Sequence, residues 1–138
     1  MQVRRRQLTD SLGSKFRTRI YGGAGDLQIE LEDVATSTSM FFDLYNAELL
    51  AGFIMATRLT SPRSVPEEHT VGAYAAVYQS VREPVPAIRI TQESGLILEI
   101  RSTFWDQLFA ELNLVCAHVR ARSYDSLDQY SGRELAAH

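Results

Sequence analysis

Residues 40–54, MFFDLYNAELLAGFI, join a strand to a helix within one short stretch. The first part repeats an apolar residue at every second position, as a strand with one buried face does: Met40, Phe42 and Leu44. The second part has the spacing of an amphipathic helix: Leu49, Leu50, Phe53 and Ile54. Asn46, between the two parts, is a suitable N-cap for a helix over residues 47–58. We therefore expect a strand that leads directly into a helix.

Residues 96–109, LILEIRSTFWDQLF, have the same organisation. Their alternating apolar residues are Leu96, Leu98 and Ile100, and their helical stripe is Phe104, Trp105, Leu108 and Phe109. The strand parts of the two stretches match at an offset of 56 residues and the helix parts at 55. A repeat of this length indicates two similar supersecondary units that share one core.

Further alternating segments precede each of these stretches. Lys15 to Tyr21 and Leu27 to Leu31 flank a glycine-rich turn and predict a hairpin, and the second half offers strands over 71–81 and 87–92. The fold class predicted is α+β, with two strand-strand-strand-helix repeats forming one antiparallel β-sheet core and two helices packed on it. The expected divisions of this single domain are a basic arm (1–13), a first repeat (14–58), a linker (59–70), a second repeat (71–122) and a polar tail (123–138).

The composition of the chain suits one globular domain. It has 138 residues, of which 45% are hydrophobic and 22% are charged. No run approaches the ~18 consecutive apolar residues of a membrane span, so we expect no membrane partner. Cys116 is the single cysteine, which excludes an internal disulfide and fits a reducing compartment, so we expect a cytoplasmic protein.

Charge is distributed unevenly along the chain, although the net charge is only −3. Residues 1–19 contain six basic residues and one acidic residue, whereas residues 20–138 contain eight basic and sixteen acidic residues. A basic segment on an acidic body indicates either contact with phosphate or with an acidic partner, or a terminus neutralised by its own protein.

The residue types of catalytic and metal sites occur here without the spacings that such sites require. The three histidines, His69, His118 and His138, form no metal-ligand motif with a cysteine or with one another. Cys116 and His118 are two positions apart on a helix and therefore point in different directions. We predict a protein that is not an enzyme and that uses no metal and no cofactor.

The strongest candidate binding surface combines arginines with tyrosines on a sheet. Guanidinium groups neutralise phosphates and aromatic rings stack on unpaired bases, so such a face suits single-stranded nucleic acid. The predicted nucleic-acid-binding residues are Arg4, Arg5, Arg6, Lys15, Arg17, Arg19, Tyr74, Tyr78 and Arg89. Two alternatives stay open. Glu30 and Glu32 lie across the hairpin from Arg17 and Arg19 and are able to pair with them. The two tyrosines equally suit the core side.

The stretch Leu98 to Leu112 resembles the last strand and helix of the positive-cofactor-four family of single-stranded-DNA-binding coactivators. An aliphatic strand residue precedes a helix with tryptophan and then apolar residues three and seven positions on: here Ile100, Trp105, Leu108 and Leu112. The tandem layout is also similar to the Whirly and Pur families, whose repeats usually have four strands. The resemblance implies binding of single strands across the sheets and a homo-oligomer held partly by the helices.

The predicted function is therefore a small non-enzymatic binding module for single-stranded nucleic acid. The alternative is an acidic protein-interaction domain such as an adaptor, an inhibitor, an immunity-type protein or an assembly subunit, which would bind a basic protein partner.

Overall fold

The first half of the chain forms a four-stranded antiparallel sheet followed by a helix. In this computed structural model, neighbouring strands of the first sheet are consecutive in the chain. They are β1 (Gln2–Thr9), β2 (Lys15–Gly22), β3 (Leu27–Asp33) and β4 (Thr38–Phe42). Helix α1 (Leu44–Thr60) follows β4 after a single residue.

The second half repeats this order. Its sheet consists of β5 (Glu68–His69), β6 (Ala76–Val81), β7 (Ala87–Gln92) and β8 (Ile97–Arg101), again with consecutive strands paired antiparallel. A short 3₁₀ turn (Ser102–Phe104) leads into helix α2 (Trp105–Ala136). The structure describes the backbone of residues 2–22, 27–60 and 65–136, and side chains within 4–21, 28–60 and 65–121.

The predicted α+β class, with antiparallel strands and two helices, is confirmed. The strands belong to two hydrogen-bonded sheets, and each sheet has one strand more than the sequence indicated. The expected basic arm contains β1, paired with β2 along most of its length, and the expected linker contains β5. The expected polar tail continues helix α2 as far as Ala136. The predicted turn at residues 23–26 lies outside the described residues.

Buried residues show that the two halves repeat at one constant offset. Both strand–helix junctions bury side chains at the same successive spacings of 2, 5, 3 and 4 residues. The first set is Met40, Phe42, Ala47, Leu50 and Ile54, and the second is Leu98, Ile100, Trp105, Leu108 and Leu112. The offset is therefore 58 residues throughout. The expected offsets of 56 and 55 were wrong because apolar residues on the flanks of each stripe resemble those at its centre.

Helix α1 begins three residues earlier than predicted because Asp43, rather than Asn46, caps it. The backbone and side-chain N–H groups of Asn46 both donate to Asp43 Oδ1 at 2.8 Å. An aspartate in this position satisfies one of the free N–H groups of the first turn. Asn46 is itself buried, and its Oδ1 accepts a hydrogen bond from Tyr78 on the second sheet at 3.1 Å.

Each helix reaches the sheet of the other repeat. Helix α1 contacts β6 as well as β3 and β4, and the two helices pack against each other. Helix α2 reaches the first sheet, where Gln107 Nε2 donates to the carbonyl of Thr9 at 2.9 Å. Strands β4 and β8 are also in contact. The repeats are therefore interlocked around one core, and neither half buries its apolar surface alone.

Candidate nucleic-acid interface

The first sheet has a covered face and an open face. Residues that point towards the helices are buried, including Phe16, Ile20, Ile29, Leu31 and Met40. Because side chains alternate along a strand, the residues between them lie on the opposite side. We call this side the outer face, and its described residues are Arg5, Gln7, Thr9, Lys15, Arg17, Arg19, Tyr21, Gln28, Glu30, Glu32, Ser39 and Phe41.

The strand register arranges the outer face in rows that run across the strands. One row is Gln7, Arg17, Glu32 and Ser39, and the next is Arg5, Arg19, Glu30 and Phe41. Tyr21 and Gln28 form a third, shorter row. Basic side chains therefore lie on β1 and β2 and acidic side chains on β3, while the aromatic rings are Tyr21 on β2 and Phe41 on β4.

The arginines and glutamates in the middle of the outer face form ion pairs. Arg17 Nη1 lies 2.9 Å from Glu32 Oε1, and Arg19 Nη1 lies 2.6 Å from Glu30 Oε1. The hydrogen bond to Glu30 raises the pKa of the Arg19 guanidinium above its usual value. The pairing across the hairpin that the sequence left open is confirmed, and each such pair is worth about 0.2–1 kcal/mol.

Two basic residues of the outer face, Arg5 on β1 and Lys15 at the start of β2, are free to meet a ligand as far as the described residues go. Arg5 and Lys15 are exposed, and among the described residues neither has an acidic partner within salt-bridge distance. With Arg17 and Arg19 they give four basic against two acidic side chains on this face. The outer face is therefore positive, although the whole chain is negative.

Two aromatic rings of the outer face, Tyr21 on β2 and Phe41 on β4, lie close together. The ring centroids of Tyr21 and Phe41 are 6.2 Å apart, and Phe41 is 37% exposed. Tyr74, in the turn before β6, accepts a hydrogen bond from Gln28 Nε2 at 2.7 Å and so joins this group. Phe41 was missed from the sequence, although it is the one large apolar residue at an outward position of its strand.

Arg4 and Arg6 are not part of the outer face. Their positions alternate with that of Arg5, so they lie on the helix side of β1, where both contact Glu111 of α2. Arg4 Nη2 and Thr18 Oγ1 donate to Glu111 Oε1 at 3.1 and 3.2 Å. The structure therefore places Arg4 and Arg6 apart from Arg5 and beside a buried carboxylate, and their contact with nucleic acid stays a prediction.

Glu111 occupies the position that Phe53 occupies in the first repeat, 58 residues earlier. We expect Glu111→Ala to lower the free energy of unfolding by about 1–3 kcal/mol, because Thr18 loses its acceptor and the two arginines lose their counter-charge. Glu111→Leu should lose less, since an apolar side chain suits this position in the other repeat. Urea unfolding measures the free energy of unfolding of both variants.

The control is Glu99→Ala, which removes one partner of an exposed ion pair and should change the free energy of unfolding by under about 0.5 kcal/mol. A leucine variant less stable than the alanine variant would contradict this assignment.

Tyr78 is a core residue. It is fully buried on β6, its ring lies 6.1 Å from that of Phe53, and burial raises the pKa of its hydroxyl. Tyr74 does not share its strand, because β6 begins at Ala76. The prediction that Tyr78 contacts nucleic acid was wrong, since Tyr78 points with Ile88 and Ile90 towards the helices.

Arg89 lies on the second sheet, away from the outer face of the first. Its Nη2 is 2.8 Å from Glu99 Oε1 on the neighbouring strand. The structure therefore brings together Arg5, Lys15, Arg17 and Arg19, adds Tyr74 at their aromatic end, and separates Arg89 from them.

The chemistry of catalytic sites is not evident in the described part of the chain. No group of three or more histidine, cysteine, aspartate or glutamate residues there is arranged to hold a metal ion. Burial raises the pKa of the Cys116 thiol to about 11, which disfavours the reactive thiolate. Among the described helices, none has the length and apolarity needed to cross a bilayer.

Comparison with known proteins adds no relative. The sequence matches no protein-family model, and no curated protein is significantly similar to it.

Proposed function

We propose that the protein is a non-enzymatic module that binds single-stranded nucleic acid on the outer face of the first sheet. The observation that carries the proposal is the juxtaposition of Tyr21 and Phe41 with four basic side chains on one open sheet surface. Single-strand binding needs these two elements: cations for the backbone and rings on which unpaired bases stack.

The positions of the charged and aromatic side chains on the sheet indicate how a single-stranded nucleic acid would lie across it. Phosphates would meet Arg5 and Lys15, the exposed basic side chains that have no acidic partner among the described residues. Bases would extend across the face towards Phe41 and Tyr21. A duplex cannot make the second contact, since its bases are stacked inside the helix, so the arrangement favours unpaired strands.

The fold supports the same proposal. Each half has four strands followed by a helix, and the Whirly and Pur families, which the sequence resembles in part, are built of repeats that usually have four strands. Fold alone does not establish function, so the proposal depends mainly on the residues of the outer face. The homo-oligomer that the resemblance implies stays a prediction, which light scattering would test.

Removing the most exposed ring of the outer face should weaken binding. Stacking of a base on an aromatic side chain is worth about 1–3 kcal/mol, so we expect Phe41→Ala to raise the Kd for a mixed-sequence single strand roughly 5- to 150-fold. Fluorescence anisotropy with a labelled oligonucleotide measures the change.

Tyr45→Ala is the matched control, because Tyr45 is an exposed aromatic residue, 64% accessible, at the start of α1. It should leave the Kd unchanged. Equal Kd values for the Phe41→Ala variant and the unaltered protein would remove the outer face as the site. No binding by the unaltered protein would instead favour the protein-interaction alternative.

A further inference from the structure

Two carboxylates lie at the centre of the outer face on β3, beside the arginines of β2 and the rings of Tyr21 and Phe41. The side chains of Glu30 and Glu32 are 9% and 18% exposed. Within the described residues, every hydrogen bond or ion pair to them is made by Oε1: from Arg17 and Arg19, and from the Tyr21 hydroxyl to Glu30. Among the described residues, Oε2 of each glutamate has no hydrogen-bond partner. Each carboxylate therefore has one oxygen that is able to accept a hydrogen bond from a ligand.

A phosphodiester backbone is disfavoured over β3, because its negative charge would meet these carboxylates. The backbone is therefore directed to β1 and β2, as in the proposed function, and β3 is left to the bases. Glu30 pairs directly across the strands with Phe41, so a base stacked on Phe41 lies beside this carboxylate. A carboxylate oxygen accepts hydrogen bonds and, when ionised, donates none.

We propose that Glu30 and Glu32 make the outer face selective for bases that carry an amino group on their pairing edge. This inference rests on the proposed function and names its substrate class. Cytosine presents an N4 amino donor to a carboxylate, the pairing used by glutamate and aspartate elsewhere. Uracil and thymine present an O4 acceptor at the same place, which a carboxylate repels, and their N3–H donor lies between the two acceptors O2 and O4. The protein is thus a binder of amino-bearing bases that discriminates against uracil and thymine.

The test compares oligo(rC) with oligo(rU) of equal length by anisotropy at pH 7.5 and low salt. The two oligonucleotides have the same backbone. Their bases differ in the group at position 4, which is an amino group in cytosine and a carbonyl oxygen in uracil, and in N3, which carries a hydrogen only in uracil. We expect oligo(rC) to bind roughly tenfold more tightly, the size of one base-reading hydrogen bond. The double variant Glu30→Gln, Glu32→Gln should bind both strands equally, because a side-chain amide both donates and accepts. Glu99→Gln, on the second sheet, is the control and should keep the preference.

A preference for oligo(rC) that disappears only in the double variant supports the proposal. Equal binding, or tighter binding of oligo(rU), by the unaltered protein overturns the selectivity and leaves the proposed function standing. A preference that survives in the double variant overturns the assignment to the two glutamates. Binding of neither strand removes the proposed function itself. If the double variant does not fold, as judged by circular dichroism, Glu32→Gln alone replaces it, because Glu32 is the more exposed of the two.

Discussion

Reversing two exposed charges of the outer face, Arg5→Glu on β1 with Lys15→Glu at the start of β2, should weaken single-strand binding on the order of 100-fold at low salt. Both side chains are exposed, and neither has an acidic partner among the described residues, so the change removes cations without breaking an ion pair of the fold. The slope of log Kd against log salt concentration should also fall by about 1.4, since each lost phosphate contact on a single strand contributes about 0.7. Anisotropy titrations at several salt concentrations measure both quantities.

A control variant with the same change in net charge shows whether the loss of affinity comes from the outer face or from the net charge of the whole protein. Arg82→Glu with Arg120→Glu alters two exposed residues away from the outer face. Within the described part of the chain, the one ion pair of Arg120 is with Glu48, and an exposed pair of this kind is worth little. The control should shift the Kd only slightly. Equal losses of affinity in the two double variants would contradict a localised site, because they would show that only the net charge of the protein matters.

Truncating Tyr78 should have the largest effect on stability. We expect Tyr78→Ala to lower the free energy of unfolding by about 3–5 kcal/mol, because it removes a fully buried ring and leaves a cavity between the second sheet and helix α1. That is a large part of the roughly 5–15 kcal/mol that stabilises an ordinary domain. Urea unfolding followed by circular dichroism measures the change.

Tyr78→Phe distinguishes the ring from its hydroxyl. It should cost about 1–3 kcal/mol, because it leaves the buried Oδ1 of Asn46 without the hydroxyl donor. It should also leave the affinity for single strands unchanged, since Tyr78 is remote from solvent. An alanine variant within about 1 kcal/mol of the unaltered protein would contradict the core assignment, and so would a loss of binding in the phenylalanine variant.

Apolar alternation was sufficient to predict the central strands and both helices. It failed at β1 because Leu8 is the one apolar residue among the described inward positions of that strand, whereas Arg4 and Arg6 face the carboxylate of Glu111. One apolar residue shows no period, and the partner of the two arginines on α2 is more than a hundred residues away. Strand β5 escaped prediction because two residues cannot show a period.

The basic half of the candidate site followed from the sequence, whereas the aromatic half followed only in part, because Tyr74 was predicted and Phe41 was not. Arg17 and Arg19 alternate clearly with buried Phe16 and Ile20, so their face was predictable. The faces of Tyr74 and Tyr78 depend on where β6 begins, which the alanine- and valine-rich segment before it does not mark. The role of Phe41 depends on the pairing of β4 with β3, which places Phe41 beside Glu30.

Titration of the unaltered protein with single-stranded and duplex oligonucleotides of the same sequence, at low and at moderate salt, tests the central claim most directly. If the outer face binds unpaired bases through rings and cations, the single strand should bind more tightly than the duplex at both salt concentrations, and its affinity should fall as salt rises. Equal or tighter binding of the duplex, or no binding of either at low salt, would contradict the claim.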